Sequence, residues 1–150
     1  MSDVWFYHLQ RASLEETLPR LVVKARAAGW RVAVRATSEA RRDEVDELLW
    51  TFEEESFLPH VSDADPDAAG EAVVIQAGAT DLNAPDCVLL VDGAPLPADL
   101  ARYARVILIF DGNDEEATAA ARSHWKTVKA AGGQASYWAQ DEDGRWGKKG

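Results

Sequence analysis

Along the first sixty residues the spacing of apolar positions changes twice. "VWFYHL", residues 4–9, is almost unbroken, as a strand buried on both faces would be. From Leu14 the pattern opens. Leu14, Leu18, Leu21, Val22, Ala25 and Ala28 recur at helical spacing and mark one buried face. Ahead of them, Ser13 and Glu16 have the S-x-x-E spacing of a capping box, in which each side chain meets the other residue's free backbone N–H. Pro19 falls past the first turn, where it removes a donor and predicts a kink, and Gly29 predicts the helix end. "WRVAVRA", residues 30–36, reads as a second strand. A second helix is predicted from Thr37 or Ser38 to about Phe52, with Val45, Leu48, Leu49 and Phe52 inward. Trp50 lies about 140° from the centre of that stripe. On a continuous helix it faces water, unless the following "EEESF" folds back over it.

Residues 61–72 are polar and broken by Pro and Gly, and predict a surface loop. Apolar runs at 73–77, 87–91 and 105–110 predict three more strands, with a short helix over 96–104. A long helix is predicted over 113–131, stopped by Gly132-Gly133. "ASYWAQ" and "GRWGKK" predict either a last hairpin or a loose tail, the tail being 141–150. Strands alternating with helices, several of them continuously apolar, imply an α/β sandwich. Its mostly parallel sheet would be covered by helices on both faces, in a single domain over residues 1–150.

Composition narrows the function. A chain of 150 residues with 47% apolar content suits one core. There is no run of eighteen apolar residues. The N-terminus lacks a basic region followed by a long apolar stretch, so no secretory signal is expected. One cysteine, Cys87, leaves no internal disulfide and fits a reducing compartment. These points predict a cytoplasmic protein without a membrane partner. The net charge of −10 opposes strong direct binding to nucleic-acid phosphates. It leaves the placement of the 16 Lys and Arg as the open question.

Catalytic signatures are scarce. "QRAS" stands after Leu9 where a dinucleotide fold needs G-x-G-x-x-G, and there is no P-loop and no G-x-S-x-G elbow. No cofactor is therefore expected. His8, His60 and His124 are far apart in sequence, none is spaced with Cys87 as a metal ligand, and each reads as structural. Asp92-Gly93 and Asp111-Gly112 each follow a predicted strand. They read as turn chemistry and helix-dipole partners. The alternative is a small α/β enzyme using these acids at its strand ends.

The last long helix carries two stripes. Ala117, Ala121, His124, Val128 and Ala131 predict the sheet-facing side. Arg122, Trp125, Lys126 and Lys129 recur at i, i+3, i+4 and i+7 and predict a second stripe pointing well away from it. No acid occurs between Ala117 and Gln140. Either this is a local site for an anionic, partly apolar ligand, or it is a solvated face whose long stems cover apolar neighbours. Stacking of single-stranded bases on Trp125 is a third reading, opposed by the overall charge.

"FYHL", "GWRVAVR", "DELLWTFEEESFLPH" and "AARSHWKTVKAAGG" occur in an order and spacing that resemble the chi subunit of bacterial DNA polymerase III holoenzyme. The L-W-x(6)-F-x-P-H segment is the most specific part. The resemblance implies a non-catalytic, Rossmann-like α/β sandwich without a nucleotide-binding glycine loop. It implies a clamp-loader-associated adaptor that binds the acidic C-terminal tail of single-stranded DNA-binding protein, which ends in Pro-Phe. By position, the tail residues would be Arg122, Trp125, Lys126 and Lys129, with Trp125 where other members have Tyr. Trp50, Phe57 and His60 would meet a second partner, the psi subunit or a helicase. Asp111 departs from the pattern: members can carry an apolar residue there, and a carboxylate close to the pocket would repel an acidic tail.

Overall fold

A computed structural model describes residues 3–51 and 59–150. Strand β1 (Asp3–Leu9) leads to helix α1 (Leu14–Ala27), β2 (Val32–Arg35) and α2 (Glu39–Thr51). Then come β3 (Val61–Ser62), β4 (Val73–Gln76), β5 (Cys87–Leu90) and β6 (Arg105–Asp111). Helix α3 (Glu115–Ala130) and strands β7 (Gln134–Gln140) and β8 (Trp146–Lys148) complete the chain. The eight strands form one sheet in the order β3-β4-β2-β5-β6-β1-β7-β8. Every pairing is parallel except β7 with β8.

Alternate residues of each strand serve opposite faces of the sheet. Tyr7, Leu9, Val32, Val34, Val73, Ile75, Leu89 and Ile107 pack with Leu18, Leu21 and Val22 of α1 and Val45 and Leu49 of α2. Val4, Phe6, Val88, Leu90, Val106, Leu108 and Phe110 pack with Ala121 and Val128 of α3. The molecule is thus a three-layer α/β sandwich, with α1 and α2 on one face and α3 on the other.

The expected caps form, with one change. Ser13 Oγ accepts from the Glu16 backbone N–H at 3.2 Å, but the Ser13 hydroxyl then donates to Glu16 Oε1 at 3.3 Å. Glu16 therefore answers the hydroxyl of Ser13 and not its backbone. Pro19 lies buried inside α1, which continues through it. Ala28, expected inward, is exposed at the helix C-cap. The polar 61–72 stretch holds more order than its composition predicts: Val61–Ser62 pairs with β4 as an edge strand, and Ala68–Gly70 forms a 3-10 turn. The helix expected over 96–104 reduces to one 3-10 turn, Leu100–Arg102. Pro97 disfavours helical backbone at Leu96, which removes the first residue of that span. Residues 134–148 take the hairpin alternative, and Trp146 packs beside the α1–α2 core. No helix among the described residues is long and apolar enough to cross a membrane.

Candidate functional site

The side chain of Asp114 starts α3 by accepting from the N–H groups of Glu116 at 3.0 Å and Ala117 at 3.3 Å. Ala121 and Val128 are its buried positions, and Ala131 is exposed. Trp125 corrects the second stripe. It is half-buried and sets its ring edge-on against Phe6 of β1, centroids 5.3 Å apart and planes at 62°. The reason is simple. Trp125 follows Ala121 by four residues and precedes Val128 by three, so it borders the inward face. Arg122, Lys126 and Lys129 are exposed, and Lys129 Nζ lies 5.5 Å from the Trp125 ring centroid. The indole packs against the core at Phe6 while Lys129 lies over its ring, and no ion pair among the described residues neutralises Arg122, Lys126 or Lys129.

The strands beside α3 extend this surface. Tyr137 of β7 is pushed up in pKa by burial, against the opposing charge of Arg122. Its hydroxyl hydrogen-bonds His8 Nδ1. His8 stacks on Phe110 with centroids 4.9 Å apart. Burial lowers the pKa of His8, against the raising effects of the Gly112 backbone and the Asp111 carboxylate. The ring is therefore neutral at neutral pH. Gly112 is needed here, because a Cβ at residue 112 would overlap the His8 ring. Sequence pattern does not single out His8 and Tyr137 for this surface. The only trace of the pairing is an aromatic at each of two strands, which shows nothing until the strands are placed side by side.

The Trp50 face is a second surface. Of the six tryptophans, Trp50 is the exposed one, at 46%. This agrees with its position off the α2 stripe, where Val45 and Leu49 are buried. His60, expected to meet a partner directly, is only 2% exposed. Its ring lies 4.2 Å from that of Trp50, centroid to centroid, and its Nε2 is 2.9 Å from the Asp46 carbonyl oxygen. His60 thus stands under Trp50 as a support. Phe57 and Phe52 lie outside the described residues.

The acids of the enzymatic alternative border a cleft of about 830 Å³ beyond the ends of β1, β5 and β6. Asp92 pairs with Arg41 at 2.5 Å, and Asp111 Oδ1 accepts from the Asn113 backbone N–H at 2.9 Å. Neither carboxylate hydrogen-bonds a hydroxyl, thiol or imidazole among the described residues. The α3 side of the cleft is Glu116, Ala117, Ala120, Ala121 and His124, and none of Arg122, Trp125, Lys126 and Lys129 lines it. Among the described residues no group of three or more His, Cys, Asp or Glu is arranged to hold a metal.

A buried polar network was also absent from the sequence reading. Arg35 Nη2 donates to Asp81 Oδ2 at 3.0 Å and to the Tyr103 hydroxyl at 2.9 Å, and that hydroxyl donates to Asp81 Oδ2 at 2.5 Å. Gln76 Nε2 donates to Asp81 Oδ1 at 2.7 Å. The network ties the loop between β4 and β5 to β2 and β4. Its trace in the sequence is a lone Arg ending an apolar strand, which requires a buried partner.

A family model described as DNA polymerase III chi subunit, HolC, matches residues 1–136. A Pseudomonas aeruginosa protein named DNA polymerase III subunit chi is 39% identical over 63 residues, covering 40% of this chain and 44% of that protein. The chain thus matches less than half the length of that relative.

Proposed function

The chain belongs to the DNA polymerase III chi subunit family, accessory subunits of a replicative polymerase, and on that premise we propose that it is a non-catalytic adaptor. It binds the acidic C-terminal tail of single-stranded DNA-binding protein and bridges it to the clamp-loader assembly. One observation carries this reading: Arg122, Lys126 and Lys129 are exposed on the same helix as a half-buried Trp125, with Lys129 over its ring, in a stretch from Ala117 to Gln140 without a carboxylate. The cations suit the side-chain carboxylates and the terminal carboxylate of the tail. The outer part of the indole suits its Phe. A core-anchored ring needs little ordering on binding, which favours affinity.

Asp111 bears on affinity. Its charge reaches His8 at the strand-end side of this surface, so it repels an acidic peptide there. The net charge of −10 adds long-range repulsion. We therefore expect modest, salt-sensitive binding. Trp50 and Phe57, with His60 as support, serve a second partner, the psi subunit or a helicase. The test is capture of single-stranded DNA-binding protein, intact and without its last residues. Capture of the truncated protein as well as the intact one would sink the tail reading.

A further inference from the structure

The cleft beyond the strand ends has a topological cause. β1 and β6 are adjacent and parallel, with Leu9 opposite Asp111 at their C-terminal ends. α1 leaves β1 toward one face of the sheet, and α3 leaves β6 toward the other. Chains that part in this way open a crevice, the usual ligand position in open α/β sheets. At about 830 Å³ it falls within the range of true ligand pockets, roughly 300–1,000 Å³. Leu90, Leu108, Phe110 and Ala121 line it as buried apolar residues.

Its electrostatics are the reverse of a nucleotide site. The N-termini of α1 and α3 would ordinarily attract an anion. Here their first turns carry Glu15 and Glu16, and Glu115 and Glu116. Asp114 already takes two of the free N–H groups of α3. Around the cleft stand the carboxylates of Glu15, Asp92, Asp111, Asp114 and Glu116, against the guanidiniums of Arg11 and Arg41. Both guanidiniums are engaged: Arg41 with Asp92 and Glu44, Arg11 with the Glu142 carbonyl oxygen. An apolar floor under an acidic rim matches side chains with an apolar stem and a cationic head.

We propose that this cleft receives a basic segment of a partner protein, in which Arg or Lys alternate with apolar residues. Such a segment lays its apolar side chains on Leu90, Leu108 and Phe110 and its cationic heads on Asp111 and Glu116. α3 would then carry sites of opposite charge preference on its two flanks, His124 facing the basic segment and Trp125 the acidic tail. This site does not depend on the tail reading.

The test uses the full chain and a fluorescein-labelled heptapeptide of alternating leucine and arginine, followed by anisotropy at low salt. Replacing its arginines by glutamate should weaken binding at least about tenfold, from charge complementarity. The Asp111→Asn, Glu116→Gln double variant should weaken the arginine peptide by roughly fivefold, as two exposed pairs are lost. Both positions are exposed, and the amide oxygen introduced by Asp111→Asn can still accept from the Asn113 N–H, so the fold should be kept. Arg122→Ala should leave this affinity within about twofold, since Arg122 does not line the cleft. Equal binding of the arginine and glutamate peptides, or an unaffected double variant, overturns the proposal. So does full displacement by spermine at matching concentration, which would assign the cleft to a small polycation.

Discussion

Replacing Trp125 with Ala separates the packing role that the structure shows for this ring from the tail-binding role proposed for it. Full truncation of a buried Trp costs about 3–5 kcal/mol. Trp125 is half-buried, so about 2 kcal/mol of folding stability is expected to go, of which the edge-on contact with Phe6 supplies about 0.5–1.5 kcal/mol. For a chain of this length about 1 kcal/mol lowers the melting temperature by roughly 2–4 °C, so the variant should melt about 4–8 °C lower. A domain stable by about 5–15 kcal/mol stays folded at 25 °C after that loss, and binding can be read there on native protein. Losing the aromatic wall of an interface typically costs about 2 kcal/mol, roughly thirtyfold in Kd. Thermal melts by circular dichroism and anisotropy with a labelled acidic tail peptide ending in Pro-Phe measure the two effects. Trp125→Phe should restore most of the melting temperature, since an aromatic edge still meets Phe6. A Trp125→Ala protein melting with wild type would refute the packing account. One that melts lower but binds the tail unchanged would remove the ring from the binding surface.

Arg122→Ala should weaken the tail peptide by about tenfold at low salt with no change in melting, because the side chain is exposed and offers the peptide a charge-assisted contact of about 1.5–3 kcal/mol. Trp50→Ala and Phe57→Ala should each abolish capture of a clamp-loader or helicase partner and leave tail affinity unchanged; a Phe57→Ala protein that melts far below wild type and loses both partners would instead make Phe57 a core residue. Burial pushes the Asp81 carboxyl up, but hydrogen bonds from Tyr103 and Gln76 and the Arg35 guanidinium outweigh it, so its folded pKa lies below 3.8. Its contribution is therefore full above pH 3.8 and lost as the pH falls through that lowered value, and Asp81→Asn should flatten the acid limb of a urea-stability curve measured between about pH 5 and 2. Gly112→Ala should destabilise by about 2–3 kcal/mol, since the new methyl displaces the His8 ring from Phe110 and Tyr137; a melting temperature equal to wild type would contradict the close approach.

Local pattern was enough to place the long helices and the apolar strands and to say which face of most helices turns inward, but not the short edge strand at Val61–Ser62 or the single 3-10 turn at Leu100–Arg102. Apolar period is a local property and survives in any tertiary setting. The alternation that implies a parallel sheet and the position of Trp50 off the buried stripe of α2 follow from it, while the Ser13 cap follows from residue type and spacing. So does the concentration of cations on α3, because charge in a window of sixteen residues needs no knowledge of the fold. What stands opposite each face emerges only in three dimensions. Trp125 is half-buried because Phe6, from the other end of the chain, meets its edge. His60 supports Trp50 because its ring, just ahead of β3, lies against Trp50 and Asp46 of α2. Arg35, Asp81 and Tyr103 are tolerable in the interior only as a set, and each comes from a different part of the chain. The cleft exists because strand order places β6 beside β1 while their helices leave to opposite faces. Hydrophobic period specifies direction relative to a local axis. Pair contacts, the depth of burial and the position of a crevice depend on strand order, which is set by the packing of the whole chain.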